Sequence, residues 1–165
     1  MENLITGKNI VKSYGDGAEK NTVLNGVSVA VGRHEFVAVM GPSGSGKTTL
    51  MYALSGMDHI DSGEVAFDGL LLGGMKEEEL ADLRRQRMGF VFQQPTLLKS
   101  LNLLDNIILP SLRDNKGGGK ELAQKAGTLM KKIGIGELAL RGTTQVSGGQ
   151  LQRAGICRAL MGSPD

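Results

Sequence analysis

The sequence of 165 residues predicts an α/β fold, and three observations carry that prediction. Residues 36–40 read FVAVM without alternation, the pattern of a strand covered by helices on both faces in a parallel sheet. The run passes directly into a glycine-rich turn, and helical spacing of apolar residues follows. Beyond residue 94 the apolar residues recur only at helical spacing, so a mainly helical part follows a strand-bearing one.

Taken in order, residues 4–13 and 23–31 alternate in part and are separated by Gly15, Asp16 and Gly17, as two antiparallel strands joined by a turn would be. Residues 36–40 are expected as a central strand, 46–55 as a helix, and 63–67 as a strand ending at a turn around Asp68 and Gly69. Residues 76–86 form a helix with Glu77, Glu78 and Glu79 in its first turn and Arg84 and Arg85 near its end, charges that suit the helix dipole. Leu80 and Leu83 mark its buried side. Residues 88–92 are expected as another short strand, and 100–109, 121–133 and 147–160 as helices. Gly117, Gly118 and Gly119, flanked by Lys116 and Lys120, read as a surface loop between helices.

Composition bounds the function. A hydrophobic content of 40% suits a packed core, and 19 basic against 17 acidic residues give a net charge of +2 with no basic run, so nucleic acid is not expected as a partner. A lone cysteine, Cys157, cannot form an internal disulfide and fits a reducing compartment, with the cytoplasm expected. The first ten residues have no signal-peptide pattern, and no apolar run approaches the ~20 residues of a spanning helix. Work at a membrane would depend on a partner's span.

The chemistry begins at residues 41–49, GPSGSGKTT. Gly41, Gly46, Lys47 and Thr48 meet the phosphate-loop pattern, in which glycines let backbone N–H groups approach phosphates at the positive end of a helix. Lys47 is expected at the β- and γ-phosphates and the Thr48 hydroxyl on Mg²⁺; Ser43, Gly44, Ser45 and Thr49 complete the cradle for ATP. Kinases, GTPases, helicases and transport ATPases all share such a loop. A second motif, VSGGQLQR at residues 146–153, opens an apolar helix with Ser147 as a candidate N-cap and Gly148 and Gly149 leaving amides open to an anion. In isolation SGGQ also reads as a plain capped helix. His34 and His59 have no ligand spacing, and Arg153 and Arg158 read as helix-surface charges.

With these motifs in order, the sequence resembles the ATP-binding domain of the ABC transporter family over nearly all its residues. GPSGSGKTT matches Walker A, SGGQ the signature, and VFQQ at residues 91–94 the Q-loop. The resemblance implies a P-loop NTPase core with an N-terminal antiparallel β subdomain and an inserted helical signature subdomain, divided as residues 1–93 and 94–162. It implies ATP and Mg²⁺ as ligands, with a second ABC domain arranged head to tail so that Ser147, Gly148, Gly149 and Gln150 reach an ATP held by the other subunit. Gln93, with Gln94 as the alternative, matches the glutamine that contacts Mg²⁺ and the attacking water; Tyr14 matches the aromatic residue that stacks on adenine. Transmembrane permease subunits are the implied partners, with the chain peripheral on the inner membrane face. Residues 90–110 look like the branch serving lipoprotein release, macrolide export and antimicrobial-peptide resistance, although Pro95 and Thr96 differ from it. The family's Walker B aspartate and catalytic glutamate lie beyond the signature helix, so the C-terminal part of the core is expected to be missing, with ATP bound but poorly hydrolysed. A soluble, non-transport ATPase of the same type and a non-hydrolysing nucleotide-binding module are the alternatives.

Overall fold

The structure, a computed structural model, describes residues 2–113 and 118–165, and only the backbone of Ala18. It separates into two compact units, Met1–Ala81 and Asp82–Asp165.

In the first unit, β1 (Asn3–Tyr14) and β2 (Asn21–Gly32) form the expected antiparallel pair, running from Asn3 opposite Gly32 to Tyr14 opposite Asn21. β3 (Ser62–Phe67) pairs on the other side of β1, and β4 (Leu70–Leu71) completes the order β2-β1-β3-β4. Asp68 and Gly69 have φ of 50° and 79°, the two positive values of a tight hairpin whose twist matches that of its strands. β4 is too short to leave an alternation in the sequence. α1 (Lys47–Leu54) lies against this sheet, and Ala53, Ile10, Val65 and Phe67 close the core between them, each at most 4% exposed. Burial of a side chain the size of Ile10 or Phe67 is worth roughly 1.5–3 kcal/mol.

Residues 36–40 and 88–92 are not strands, which corrects the sequence reading. A strand is a relation between two segments, and among the described residues neither stretch has a ladder partner. Without neighbours, the first is not covered on both faces either: Phe36 is 98% exposed and Met40 88%. The second keeps an aromatic pair, the rings of Phe90 and Phe92 stacking 6.2 Å apart at 12°.

α2 (Glu77–Arg87) carries the expected acids in its first turn and arginines in its last, with Leu80 and Leu83 buried. The second unit packs α3 (Leu103–Ile108), α4 (Gly119–Lys132) and α5 (Gly148–Leu160) round one cluster. Leu122, Ala126 and Met130 recur every four residues along the inner stripe of α4 and meet Leu103 and Ile107 from α3 and Ala154 and Cys157 from α5. α3 is shorter than expected because Asn102 caps it, its side chain accepting from the Asp105 N–H at 2.8 Å. Buried Asn106 holds the preceding loop: its Oδ1 accepts from Leu98 N–H, and its Nδ2 donates to the carbonyls of Leu98, Leu101 and Asn102. Of the expected glycine loop, Lys116 and Gly117 lie outside the described residues; Gly118 directly precedes α4, and Gly119 is its first residue.

Candidate functional site

The sequence-expected residues fall in both units. Tyr14 and the loop before α1 belong to the first; Gln93 and the start of α5 belong to the second.

Helix α1 begins without a cap. Gly46 is its N-cap residue with φ of 86°, so no side chain closes the first turn, and no acidic residue lies in it. The N–H groups of Lys47, Thr48 and Thr49 therefore have no partner within the helix. A Cβ on Gly46 would come within 3.1 Å of a Val23 methyl, and one on Gly41 within 2.7 Å of Ser45 Oγ, so side chains would fill the space the backbone leaves open. Lys47 sits at the positive end of the helix, where a cation is unfavourable, and its Nζ donates to the carbonyls of Gly41 (2.9 Å) and Pro42 (2.7 Å). A triphosphate fits this end: it gives the open N–H groups acceptors and offers Lys47 oxyanions in place of neutral carbonyls. Ser43, Gly44 and Ser45 lie on the exposed part of the loop, and Thr48 offers an exposed hydroxyl beside it for a hard cation.

Tyr14 ends β1, 44% exposed, and its hydroxyl donates to Asp58 Oδ2 at 2.6 Å. Lys12 is almost fully buried; its Nζ donates to Asp58 Oδ1 at 2.7 Å and lies 5.0 Å from the centroid of the Tyr14 ring. The Asp58 hydrogen bond, then burial, raises the phenol's pKa. Burial would raise the Asp58 carboxyl, but hydrogen bonds from Lys12 and Tyr14 hold it below its ordinary value. The sequence reading missed Lys12 and Asp58. The available signal was that Lys12 shares a strand face with Ile10, an inward position that forces a charge to find a partner.

In the second unit, Ser147 caps α5. Its Oγ accepts from Gln150 N–H (3.3 Å), and Gln150 Oε1 accepts from Ser147 N–H (2.7 Å), a reciprocal capping box. A Cβ on Gly148 or Gly149 would meet nothing within 4 Å, so folding does not demand glycine at either position. Gln93 and Gln94 are exposed in a segment held at both ends by α5. Gln152 Nε2 donates to the Phe92 carbonyl at 3.2 Å, and Arg158 donates to the Thr96 carbonyl at 2.7 Å and to Thr96 Oγ1 at 3.1 Å. Arg158 is thus a half-buried clamp rather than a surface charge, and burial lowers its pKa. Arg153 is exposed and bonds the carbonyls of Gly149 and Ile133. His34 lies in the turn after β2, and His59 contributes its carbonyl to Lys12.

A family profile described as ABC transporter matches residues 24–165. The chain belongs to the ABC transporter family. It is 41% identical over 158 residues to the macrolide export ATP-binding/permease protein MacB of Neisseria meningitidis, covering 96% of this chain and 24% of that protein. It is 39% identical over 161 residues to the bacitracin export ATP-binding protein BceA of Halalkalibacterium halodurans, covering 98% of this chain and 63% of that one. The chain therefore spans about a quarter of the first relative and less than two thirds of the second. Among solved structures, a dimer of the ATP-binding cassette MJ0796 in a post-hydrolysis state with ADP and Pi superposes with a TM-score of 0.91 at 36% identity, covering 97% of this chain and 70% of that one. The fold is that of an ABC ATP-binding cassette, α/β with an antiparallel sheet and a helical part.

Proposed function

We propose that this chain is the ATP-binding part of an ABC export system, coupling ATP binding and hydrolysis to the movement of a substrate by membrane subunits. The observation that carries the reading is the lysine at the uncapped positive end of α1, bonded to two loop carbonyls. Nothing in the described residues neutralises that end from within α1, and a nucleoside triphosphate is the ligand whose charge and shape suit it.

In this reading the amides from Gly44 to Thr49 hold the phosphates, and Lys47 exchanges the Gly41 and Pro42 carbonyls for the β- and γ-phosphate oxygens. Mg²⁺ would supply positive charge against the triphosphate, and Thr48 and Gln93 are the residues of this chain that would hold it. Gln93 also orients the attacking water, and the exposed Tyr14 ring receives the adenine. Ser147, Gly148, Gly149 and Gln150 face an ATP on a second ABC domain in a head-to-tail dimer. The open space at Gly148 and Gly149 supports that role, since glycine there serves an approach from outside the chain.

The relatives' names supply the export side of the reading. In this reading attachment at the inner face runs through transmembrane permease subunits; no helix of the described residues is long and apolar enough to cross a membrane. Titration of the chain with ATP and Mg²⁺, followed calorimetrically, tests the assignment. Saturable binding, weakened about 10- to 100-fold by Lys47→Ala, is the expected result. Equal affinity in wild type and variant would remove the α1 start as the phosphate site.

A further inference from the structure

Tyr14 is held more elaborately than a stacking ring needs to be. A phenylalanine would present the same flat face, yet the Tyr14 hydroxyl is engaged by Asp58 at 2.6 Å. Asp58 follows the last turn of α1.

The turn bearing Asp58 is itself fastened at both ends. Met57 and Asp58 donate their N–H groups to the Tyr52 carbonyl of α1, at 2.9 and 3.2 Å. Asp61 N–H donates to the Val11 carbonyl of β1, and Asp61 Oδ2 accepts from Ser13 N–H, both at 2.8 Å. Lys12 holds the other oxygen of Asp58, and its ammonium lies over the Tyr14 ring. The cation is buried and the tyrosine is half exposed, so the ring carries its charge partner on the inner side and leaves ring surface to solvent.

We propose that Asp58, backed by Lys12 and fastened through its turn to the Tyr52 carbonyl of α1, is a positioning residue that fixes the Tyr14 ring to α1, and hence to the phosphate loop, so that the base of a nucleoside triphosphate meets a ring already in place. The proposal rests on the base-stacking reading of Tyr14. A free tyrosine side chain must lose rotamer freedom when a ligand stacks on it; a ring fixed in advance has already lost it.

The test compares ATP with inorganic tripolyphosphate, which shares the phosphate chain and lacks the base. Both are titrated into wild type, Tyr14→Ala, Tyr14→Phe, Asp58→Ala and the double variant Tyr14→Phe/Asp58→Ala. Tyr14→Ala is expected to weaken ATP about 5- to 150-fold, the range for loss of one base–aromatic stack. Tyr14→Phe keeps the ring and the Lys12–Asp58 pair; it is expected to weaken ATP about two- to tenfold. Tripolyphosphate affinity should be unchanged in both, and the double variant should bind ATP no more weakly than Asp58→Ala alone, because both changes remove one contact.

If Tyr14→Ala weakens ATP while Tyr14→Phe binds as wild type, the positioning proposal falls and stacking stands. An Asp58→Ala variant that loses ATP and tripolyphosphate by the same factor also overturns it, since Asp58 would then serve the fold alone. If Tyr14→Ala leaves the preference for ATP over tripolyphosphate untouched, the stacking reading fails and takes the proposal with it. Should Asp58→Ala not fold, leaving buried Lys12 unpaired, Tyr14→Phe still decides.

Discussion

Helices α1 and α5 both begin at glycine-bearing motifs, yet their first turns are finished differently. α1 starts at a left-handed glycine with no side-chain cap, no acid in its first turn and a lysine as its first residue. α5 starts at Ser147, whose hydroxyl and N–H are both engaged by Gln150. The first end has no side-chain cap, whereas the second closes the Gln150 N–H with its own serine and leaves the N–H groups of Gly148 and Gly149 open. One sequence thus builds both a site that needs an anion and a surface that keeps its shape without one.

Breaking the contrast at α1 gives the largest effect. Lys47→Glu would supply the missing first-turn acid from within, so ATP affinity should fall about a hundredfold or more, while the helix gains about 0.3–1 kcal/mol. Calorimetric titration and thermal unfolding read the two separately, and unimpaired ATP binding would mean that α1 does not hold the phosphates.

The next effect concerns the core beneath α5. Burial pushes the Cys157 thiol from its ordinary value near 9 up to about 11. Because the folded pKa is the raised one, the neutral thiol contributes stability below pH 9, and that contribution is lost as pH rises through about 11. At pH 8 iodoacetamide should label the native thiol at least about a hundredfold more slowly than the denatured chain. Equal rates would show that α5 does not stay packed on its cluster.

Smaller effects sharpen the contrast at α5. Ser147→Ala removes the cap and should cost about 1 kcal/mol, or about 2–4 °C in Tm, with ATP affinity of the chain unchanged. Gly149→Ala should stabilise the helix by about 0.5–1 kcal/mol, since a methyl there meets nothing in this chain. Under the proposed head-to-tail arrangement, the same change should weaken ATP-driven dimerisation measured by light scattering. Dimerisation as strong as wild type would detach these glycines from any partner.

Much of the architecture was legible because it is periodic: the β1–β2 alternation, the charge-sorted α2 and the four-residue stripe of α4 are all written locally. The strands expected at 36–40 and 88–92 were misread because apolar content indicates burial, whereas strand identity needs a partner. In the candidate site, the phosphate loop and Ser147 could be read from spacing. The reciprocal Gln150 contact could also have been read, since S-x-x-Q is a capping-box spacing. The Lys12–Asp58 pair joins residues 46 apart, and the Arg158–Thr96 clamp joins residues 62 apart. No local pattern announces such bonds; only the burial of a charge on the Ile10 face hinted at the first.

The segment carrying Gln93 behaves as a strap buckled twice to one rod. Its buckles, Gln152 and Arg158, are six residues apart on α5, and between them the two glutamines face solvent. A strap of fixed span cannot slide along the rod, so the two glutamines are held out to solvent at one place on it.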